Sequence, residues 1–263
     1  MKTFLKYLTR ARDKSLRPYF KGKITDQLRV KEGIIELTVK HLGEDLTFMY
    51  PFFCPVTPMQ VIEGFGSQRE IEEGFLPPTM AQIASLVYTA FNPNGDGYSK
   101  KIQELVRRNF LWTCTGSLTI PGKGLYIQDY PPIVDGMPNI STNDLERRVE
   151  EGELRFVPFG FKTGEMSPRD LAENLYVQAL AGKEGAEKLG RVAKEYESNP
   201  FLWVLTHTNE PHTRVSLLVS YLNGKRLEIN SFEDPDRYED NNRCMVGHNF
   251  WVKKRLTKPD AKV

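Results

Sequence analysis

The sequence predicts an α+β fold, with antiparallel β-hairpins in the N-terminal, central and C-terminal thirds and helices grouped between them. Two turns support this prediction. His41-Leu42-Gly43-Glu44 lies between two apolar runs, and Asn223-Gly224, the strongest short hairpin signal, lies between two more. Apolar residues also recur at helical spacing from Met80 to Phe91. No alternating series of strands and helices of the parallel type is evident.

The N-terminal third begins with an amphipathic pattern over residues 1–16, which predicts a helix with one apolar face. The strands predicted next occupy residues 28–30, 34–39 and 46–50, of which the last two form a hairpin. Thr79 is the predicted N-cap of a helix that Asn92-Pro93 ends. A further helix is predicted over residues 99–108.

The central third continues with a predicted hairpin, whose strands 110–120 and 125–128 flank a Pro-Gly-Lys-Gly turn. Proline and glycine are frequent from Tyr130 to Asn139, which indicates a long loop or a boundary between two lobes. Later elements are a helix capped by Thr142, a strand over 154–161, a helix over 168–181 capped by Ser167 and ended by Gly182, and a helix over 185–196.

The last third is predicted to be mostly β-structure. The strands expected there are residues 201–206, 215–222, 225–232 and 244–252. The predicted organisation is an N-terminal lobe of residues 1–130, a C-terminal lobe of 139–252 and a basic flexible tail of 253–263, with a single domain as the alternative. A Phe-Leu-Trp sequence starts strands at Phe110 and at Phe201, which indicates either a duplication or two independent helix-to-strand corners.

Charge is distributed unevenly along the 263 residues, although the net charge is only +2. Residues 1–31 carry +8 and residues 243–263 carry +5, so the body between them carries −11. No stretch reaches the roughly 18 apolar residues of a membrane-spanning helix. Three scattered cysteines and the lack of an apolar leader segment favour a reduced, cytoplasmic protein.

The first functional hypothesis is binding of a polyanion, either nucleic acid or a nucleotide, at the two basic ends. Aromatic residues are interleaved with cations in both ends, and that pattern is typical of a groove in which bases stack. The predicted polyanion-binding residues are Arg17, Tyr19, Lys21, Lys23, Trp251, Lys253, Lys254 and Arg255.

A metal-dependent hydrolase is the second hypothesis. His207, Glu210 and His212 lie in one polar loop, and two imidazoles with a carboxylate are the ligands that zinc has in hydrolytic sites. Cys244 and His248 are possible additional ligands of zinc or another divalent metal. The sequence contains no HExxH and no CxxC, so the spacing is not diagnostic.

Other chemistry has weaker support in the sequence. Cys114 lies on a strand, where a small buried thiol is commoner than a nucleophile. Asp129, Asp135 and Glu153, with Arg155 nearby, are candidate carboxylates for a magnesium-dependent nuclease. A calcium loop at 92–97 is rejected because its twelfth position is Gln103. A third hypothesis is an interaction module without catalysis, in which residues 1–16 bind a partner or a second copy.

Overall fold

A computed structural model gives the fold of the chain. It describes residues 28–31, 34–50, 76–92, 97–108, 110–134, 137–232, 247–248 and 251–254. Helices are combined with mainly antiparallel sheets, which confirms the predicted α+β class. The amphipathic segment 1–16 and the rejected calcium-loop residues 93–96 lie outside the described residues, so the interaction hypothesis stays a prediction.

The N-terminal hairpin forms as predicted. Strands β1 (Leu28–Lys31), β2 (Ile34–His41) and β3 (Glu44–Tyr50) are antiparallel neighbours. His41 pairs with Glu44 across the predicted turn. The order of the sheet is β1-β2-β3 and then a strand from the other end of the chain, Trp251–Lys254.

Two helices follow. Helix α1 (Met80–Ala90) begins at a capping box: the Thr79 hydroxyl accepts a hydrogen bond from the Gln82 amide, and the Gln82 side chain accepts one from the Thr79 amide. This confirms the predicted cap. Helix α2 (Gly97–Arg108) begins two residues before the predicted Ser99.

The central hairpin consists of β4 (Phe110–Ile120) and β5 (Gly124–Asp129), as predicted. The Pro-rich loop contains a two-stranded ribbon, β6 (Ile133–Val134) and β7 (Met137–Pro138). The ribbon packs closely on β4, because a Cβ added to Gly116 would lie 3.0 Å from Pro131 and 3.1 Å from Pro138.

Helix α3 (Leu145–Glu150) corrects the predicted Thr142 cap. Its N-cap is Asp144, which has a left-handed backbone (φ 52°) and makes no capping hydrogen bond through its side chain. The chain therefore turns for two further residues before the helix begins. Strand β8 (Arg155–Pro158) then pairs with β5.

The helix predicted over 168–181 is wrong in its interior. The chain forms α4 (Pro168–Glu173) after the predicted Ser167 cap, and then α5 (Leu175–Ala193). Asn174 separates the two helices, because its side chain accepts hydrogen bonds from the amides of Tyr176 and Val177 and so starts a new helix. Gly182, the predicted end, has a non-helical backbone (φ 71°, ψ 165°), so α5 consists of two helical segments that meet there, and the predicted break is confirmed.

The eight-stranded sheet takes strands from both sides of the Pro-rich loop. Its remaining members are β9 (Gly164–Glu165), β10 (Phe201–Trp203), β11 (His212–Tyr221), β12 (Arg226–Phe232) and β13 (Gly247–His248). The order is β8-β5-β4-β11-β12-β10-β9, with β13 also paired to β4. The Asn223-Gly224 hairpin is confirmed. Two short pairings, β10 with β12 and β13 with β4, are parallel.

The main core lies between one face of the eight-stranded sheet and the helices α1, α2 and α5, and it extends to the four-stranded sheet. Its fully buried members include Phe48, Met80, Ile83, Leu111 and Leu218. A smaller cluster, which includes Leu118 and Leu145, covers the other face beneath α3. Helix α1 is central, because it contacts α5, α2, β2 and β4.

Among the described residues, no helix is long and apolar enough to span a membrane. The strand Trp251–Lys254, named β14, extends two residues into the segment predicted as a flexible tail. The two Phe-Leu-Trp sequences occupy different environments, since Trp112 is 3% exposed and Trp203 is 43% exposed. The division into two lobes and the duplication stay predictions.

Candidate functional site

The predicted polyanion-binding residues divide between described and undescribed parts of the chain. Those outside the described residues are Arg17, Tyr19, Lys21, Lys23 and Arg255. The remaining three, Trp251, Lys253 and Lys254, belong to β14. The backbone register places Trp251 opposite Met49 and Lys253 opposite Thr47 of β3.

The four-stranded sheet brings segments from the two basic ends together. Strand β1 contains Arg29 and Lys31, and β14 contains Lys253 and Lys254. Two strands separate them in the order β1-β2-β3-β14. With neighbouring strands about 4.8 Å apart, β1 and β14 lie about 14 Å from each other.

The predicted metal ligands lie at the β10–β11 connection. His207 and Glu210 are exposed in the loop, and half-buried His212 begins β11 opposite Thr119. No group of three or more His, Cys, Asp or Glu side chains suited to a metal ion occurs within the described ranges. Zinc at His207, Glu210 and His212 therefore stays a prediction from the sequence alone.

One possible additional ligand, His248, lies far from that loop. Cys244 lies outside the described residues, and His248 pairs with Leu111 at the start of β4. His212 pairs with Thr119, eight residues further along the same strand. That separation is about 25 Å of extended backbone, which is too far for His248 and His212 to bind one ion.

Two of the three candidate carboxylates are paired with separate arginines. Arg155 Nη1 lies 2.7 Å from Asp129 Oδ2, and Arg148 Nε lies 3.0 Å from the Glu153 carboxylate. The other Asp129 oxygen accepts a 2.6 Å hydrogen bond from the Thr115 hydroxyl. Asp135 lies outside the described residues. Asp129 and Glu153 thus hold neighbouring strands and loops, and they do not gather around a cation.

Cys114 and Tyr130 lie beside this carboxylate. Burial, together with the nearby Asp129 charge, raises the pKa of the Cys114 thiol to about 12. Burial and the neighbouring thiol likewise raise the pKa of Tyr130 to about 12. Both groups are neutral at pH 7, so Cys114 is not a thiolate nucleophile.

A serine, a histidine and a lysine meet between the N-terminal hairpin and the helices. Ser85 Oγ on α1 lies 2.9 Å from His41 Nδ1 and accepts a 3.0 Å hydrogen bond from Lys188 Nζ on α5. Burial, followed by the Lys188 charge, lowers the pKa of His41. Ser85 is 1% exposed. A substrate does not reach a hydroxyl at this depth, so the contact fastens β2 to the two helices.

Four hydroxyl groups converge where α5 begins, and they form what is named here the hydroxyl cluster. It consists of Tyr176 on α5, Ser117 on β4, Ser216 on β11 and Ser231 on β12. Each of these side chains is 1% exposed or less. None of the four hydroxyls makes a hydrogen bond of ordinary geometry to the protein.

The surroundings of the hydroxyl cluster change the pKa of Tyr176. Burial raises the pKa of Tyr176, while the three serine hydroxyls and the Arg214 guanidinium oppose that shift. Arg214 is 5% exposed, donates a 3.0 Å hydrogen bond to the Ser231 carbonyl and lies over the Trp203 ring. The phenol stays protonated at neutral pH and can donate a hydrogen bond.

A similar pair at the other end of α5 is fully bonded. The Tyr196 hydroxyl lies 2.9 Å from Ser220 Oγ, which donates a 2.7 Å hydrogen bond to the Val106 carbonyl. The Arg107 guanidinium stacks 4.5 Å from the centre of the Tyr196 ring and donates to the carbonyls of Glu195 and Gly224. This end of the helix is therefore tied to β11 and α2.

The hydroxyl cluster, the Ser85 contact and the Arg107 stack were not predicted from the sequence. A signal for the first exists, because Thr113, Thr115, Ser117 and Thr119 alternate along one buried face of β4. A buried strand face is normally apolar, so a row of hydroxyl residues marks a polar layer in the core.

Comparisons with known proteins add little. No family model and no curated protein matches the chain. Among solved structures, it is similar to one described as "Accommodation of massive sequence variation in Nanoarchaeota by the C-type lectin fold". The sequence identity is 14%, the TM-score is 0.46, and the match covers 71% of this chain and 91% of that chain. A similarity at this level carries no argument about function.

Proposed function

We propose that the protein binds a polyanion, nucleic acid or a nucleotide, through its two basic ends in the cytoplasm. The observation that supports this proposal is the shared four-stranded sheet, in which β1 and β14 are separated by only two strands. The two ends carry +8 and +5 in a chain of net charge +2, so their cationic residues are concentrated in these segments.

The spacing of the two strands suits one extended ligand. A distance of about 14 Å along a duplex contains roughly eight phosphate charges, at one charge per about 1.7 Å. It is also nearly twice the Debye length of about 8 Å at physiological salt, so repulsion between the two basic segments is largely screened. One polyanion can therefore contact both segments at once.

The test is binding of a fluorescent single-stranded oligonucleotide, and of the matching duplex, across a salt series. The variant combines Lys253→Gln with Lys254→Gln in β14. We expect weaker binding to both probes, and a salt slope smaller by about 0.7–0.9 for each phosphate that the variant no longer neutralises. Neutralising Arg29 and Lys31 in β1 is expected to have the same direction of effect.

The matched control combines Lys183→Gln with Lys194→Gln, two exposed cations in and just after α5. This control removes the same charge away from the four-stranded sheet, and we expect the salt slope to stay at its original value. An equal loss of affinity in both double variants would mean that net charge alone drives binding. That result, or no binding by the unaltered protein at low salt, would overturn the proposal.

A further inference from the structure

We propose that β14 is an insertable strand whose position controls polyanion binding, and that Val252 is the residue that positions it. This inference rests on the proposed function and adds how the binding site is assembled. Strand β14 lies between β3 on one side and Leu76 on the other, in what is named here the strand slot. With β14 in the slot, its lysines belong to the same sheet as the cations of β1.

Backbone pairing on both edges of β14 defines its place in the slot. On one edge, all four residues of β14 pair with β3 in antiparallel register. On the other edge, the Val252 amide donates a 2.8 Å hydrogen bond to the Leu76 carbonyl, and the Leu76 amide donates a 2.9 Å hydrogen bond to the Val252 carbonyl. This pairing fixes the register, and a shift by one residue would turn the Val252 side chain to the other face of the sheet.

The Val252 side chain holds β14 against the core. It is 2% exposed, and its partner in β3, Phe48, is fully buried. Both side chains belong to the main core. A polar side chain at position 252 would have to be buried without a hydrogen bond, which strongly disfavours insertion of the strand. The apolar side chain at this position therefore favours the inserted state.

The Leu76 side of the slot is fixed to the eight-stranded sheet. Two residues after Leu76, the Pro78 carbonyl accepts a 2.7 Å hydrogen bond from the Cys114 amide of β4. The Met80 amide, at the start of α1, donates a 3.0 Å hydrogen bond to the Thr115 hydroxyl of the same strand. Insertion of β14 therefore joins the four-stranded sheet to this fixed segment, and withdrawal of β14 would open that junction.

Insertion of β14 and polyanion binding are linked. A strand of four residues opens more readily than the sheet around it, because few hydrogen bonds have to break. Withdrawal would separate the lysines of β14 from the cations of β1, so a polyanion that contacts both segments favours the inserted state. The ligand therefore stabilises insertion, and insertion increases the affinity for the ligand by the same factor.

The direct test is binding of the fluorescent single-stranded oligonucleotide by Val252→Asn, a variant that changes no charge. We expect about tenfold weaker binding at every salt concentration, because the inserted state is less populated. The salt slope should stay at its original value, since the inserted state still neutralises the same phosphates. This result differs from that of the lysine variants, which lower the slope.

The matched control is Val157→Asn. Val157 is also 2% exposed and also lies on a four-residue strand, β8, at the far edge of the eight-stranded sheet. We expect this variant to bind as the unaltered protein does. Equal affinity in the unaltered protein and Val252→Asn, equal losses in both asparagine variants, or a smaller salt slope in Val252→Asn would refute the role of Val252. Absence of binding by the unaltered protein would instead refute the proposed function, and this inference with it.

Amide hydrogen exchange of the unaltered protein decides the question if Val252→Asn does not fold. With free oligonucleotide at ten times its Kd, we expect exchange of the Leu76 and Val252 amides to slow about tenfold. The Arg148 amide, which bonds to the Asp144 carbonyl in α3, is the control and should exchange at its original rate. If bound oligonucleotide leaves the Leu76 and Val252 rates unchanged, or slows all three amides equally, insertion of β14 is not linked to binding.

Discussion

Helix α5 meets strand β11 through a tyrosine and a serine at each of its ends, and the two contacts differ in how their hydroxyls are paired. At the C-terminal end, Tyr196, Ser220 and the Val106 carbonyl form a continuous chain of hydrogen bonds. At the N-terminal end, Tyr176 and Ser216 are closer to full burial, and their hydroxyls make no hydrogen bond of ordinary geometry, although the neighbouring serine hydroxyls oppose the rise in the pKa of Tyr176.

The difference shows which of two similar residue pairs is complete by itself. Burial raises the pKa of both tyrosines, and serine hydroxyls and an arginine oppose the shift in both cases. Only at Tyr196 do these groups also satisfy one another. The Tyr196 pair therefore fastens its end of the helix through well-formed hydrogen bonds, whereas the Tyr176 pair is held mainly by its burial in the core.

The largest expected effect on stability comes from removing the contacts at the C-terminal end of α5. Arg107→Ala removes two hydrogen bonds to carbonyls and the stacking on Tyr196 and Phe91. We expect the free energy of unfolding in urea to fall by about 2–3 kcal/mol. Arg108→Ala, at the exposed neighbouring position, is the control and should change stability by less than about 0.5 kcal/mol. Equal decreases in the two variants would contradict the assigned role.

An intermediate effect is expected at alkaline pH. Both tyrosines have a raised pKa in the folded protein, so the unfolded chain loses these protons first. The contribution of these two tyrosines to the free energy of unfolding should therefore be constant below about pH 10 and fall above it, by at most about 1.4 kcal/mol per pH unit for each tyrosine. Urea titrations of Tyr176→Phe and Tyr196→Phe should each show a shallower decline than the original protein.

That pair of phenylalanine variants also sharpens the comparison of the two ends. Exposed Tyr221 supplies the control, since Tyr221→Phe should leave the alkaline decline nearly unchanged. If Tyr176→Phe leaves the slope unaltered, the phenol is not held neutral by burial, and the two ends do not share the same electrostatics.

The smallest effect is expected in the middle of α5, where Lys188 donates to Ser85 beside His41. Because the pKa of His41 is lowered in the folded protein, the unfolded chain takes up this proton first as pH falls. The contribution of His41 to the free energy of unfolding should be at its full value above about pH 6.5 and decrease below it. His41→Asn should weaken this acid dependence in urea titrations at several pH values, and an unchanged dependence would contradict it.

Local signals predicted much of the fold. The turn at Asn223-Gly224 and the cap at Thr79 act within a few residues, and the structure confirms both. Errors arose where two local signals compete. Asn174 sits inside an apolar periodic run, yet its side chain caps a new helix, so one predicted helix became two. Thr142 has the chemistry of a cap, but the chain turns at Asp144 instead.

The candidate site was less predictable, because it depends on contacts between distant parts of the chain. The hydroxyl cluster combines three strands and a helix, and no sequence spacing records which serines face each other. The charges at both ends are visible in the sequence, but their common sheet depends on the pairing of β14 with β3. The two histidines show the opposite situation. Their imidazoles are suited to one metal ion, but His212 pairs with the end of β4 and His248 pairs with its start.

The pairing of β14 with β3 also determines when the four-stranded sheet can form as the chain is synthesised. Strand β14 follows β3 by about 200 residues, so the partner of β3 is synthesised long after β3 itself. Until then β3 exposes an unpaired edge, and Leu76, which bonds to Val252 on the other side of β14, also lacks its partner. The four-stranded sheet is therefore completed long after its first three strands are made, whereas the β4–β5 hairpin can form as soon as its two neighbouring strands are available.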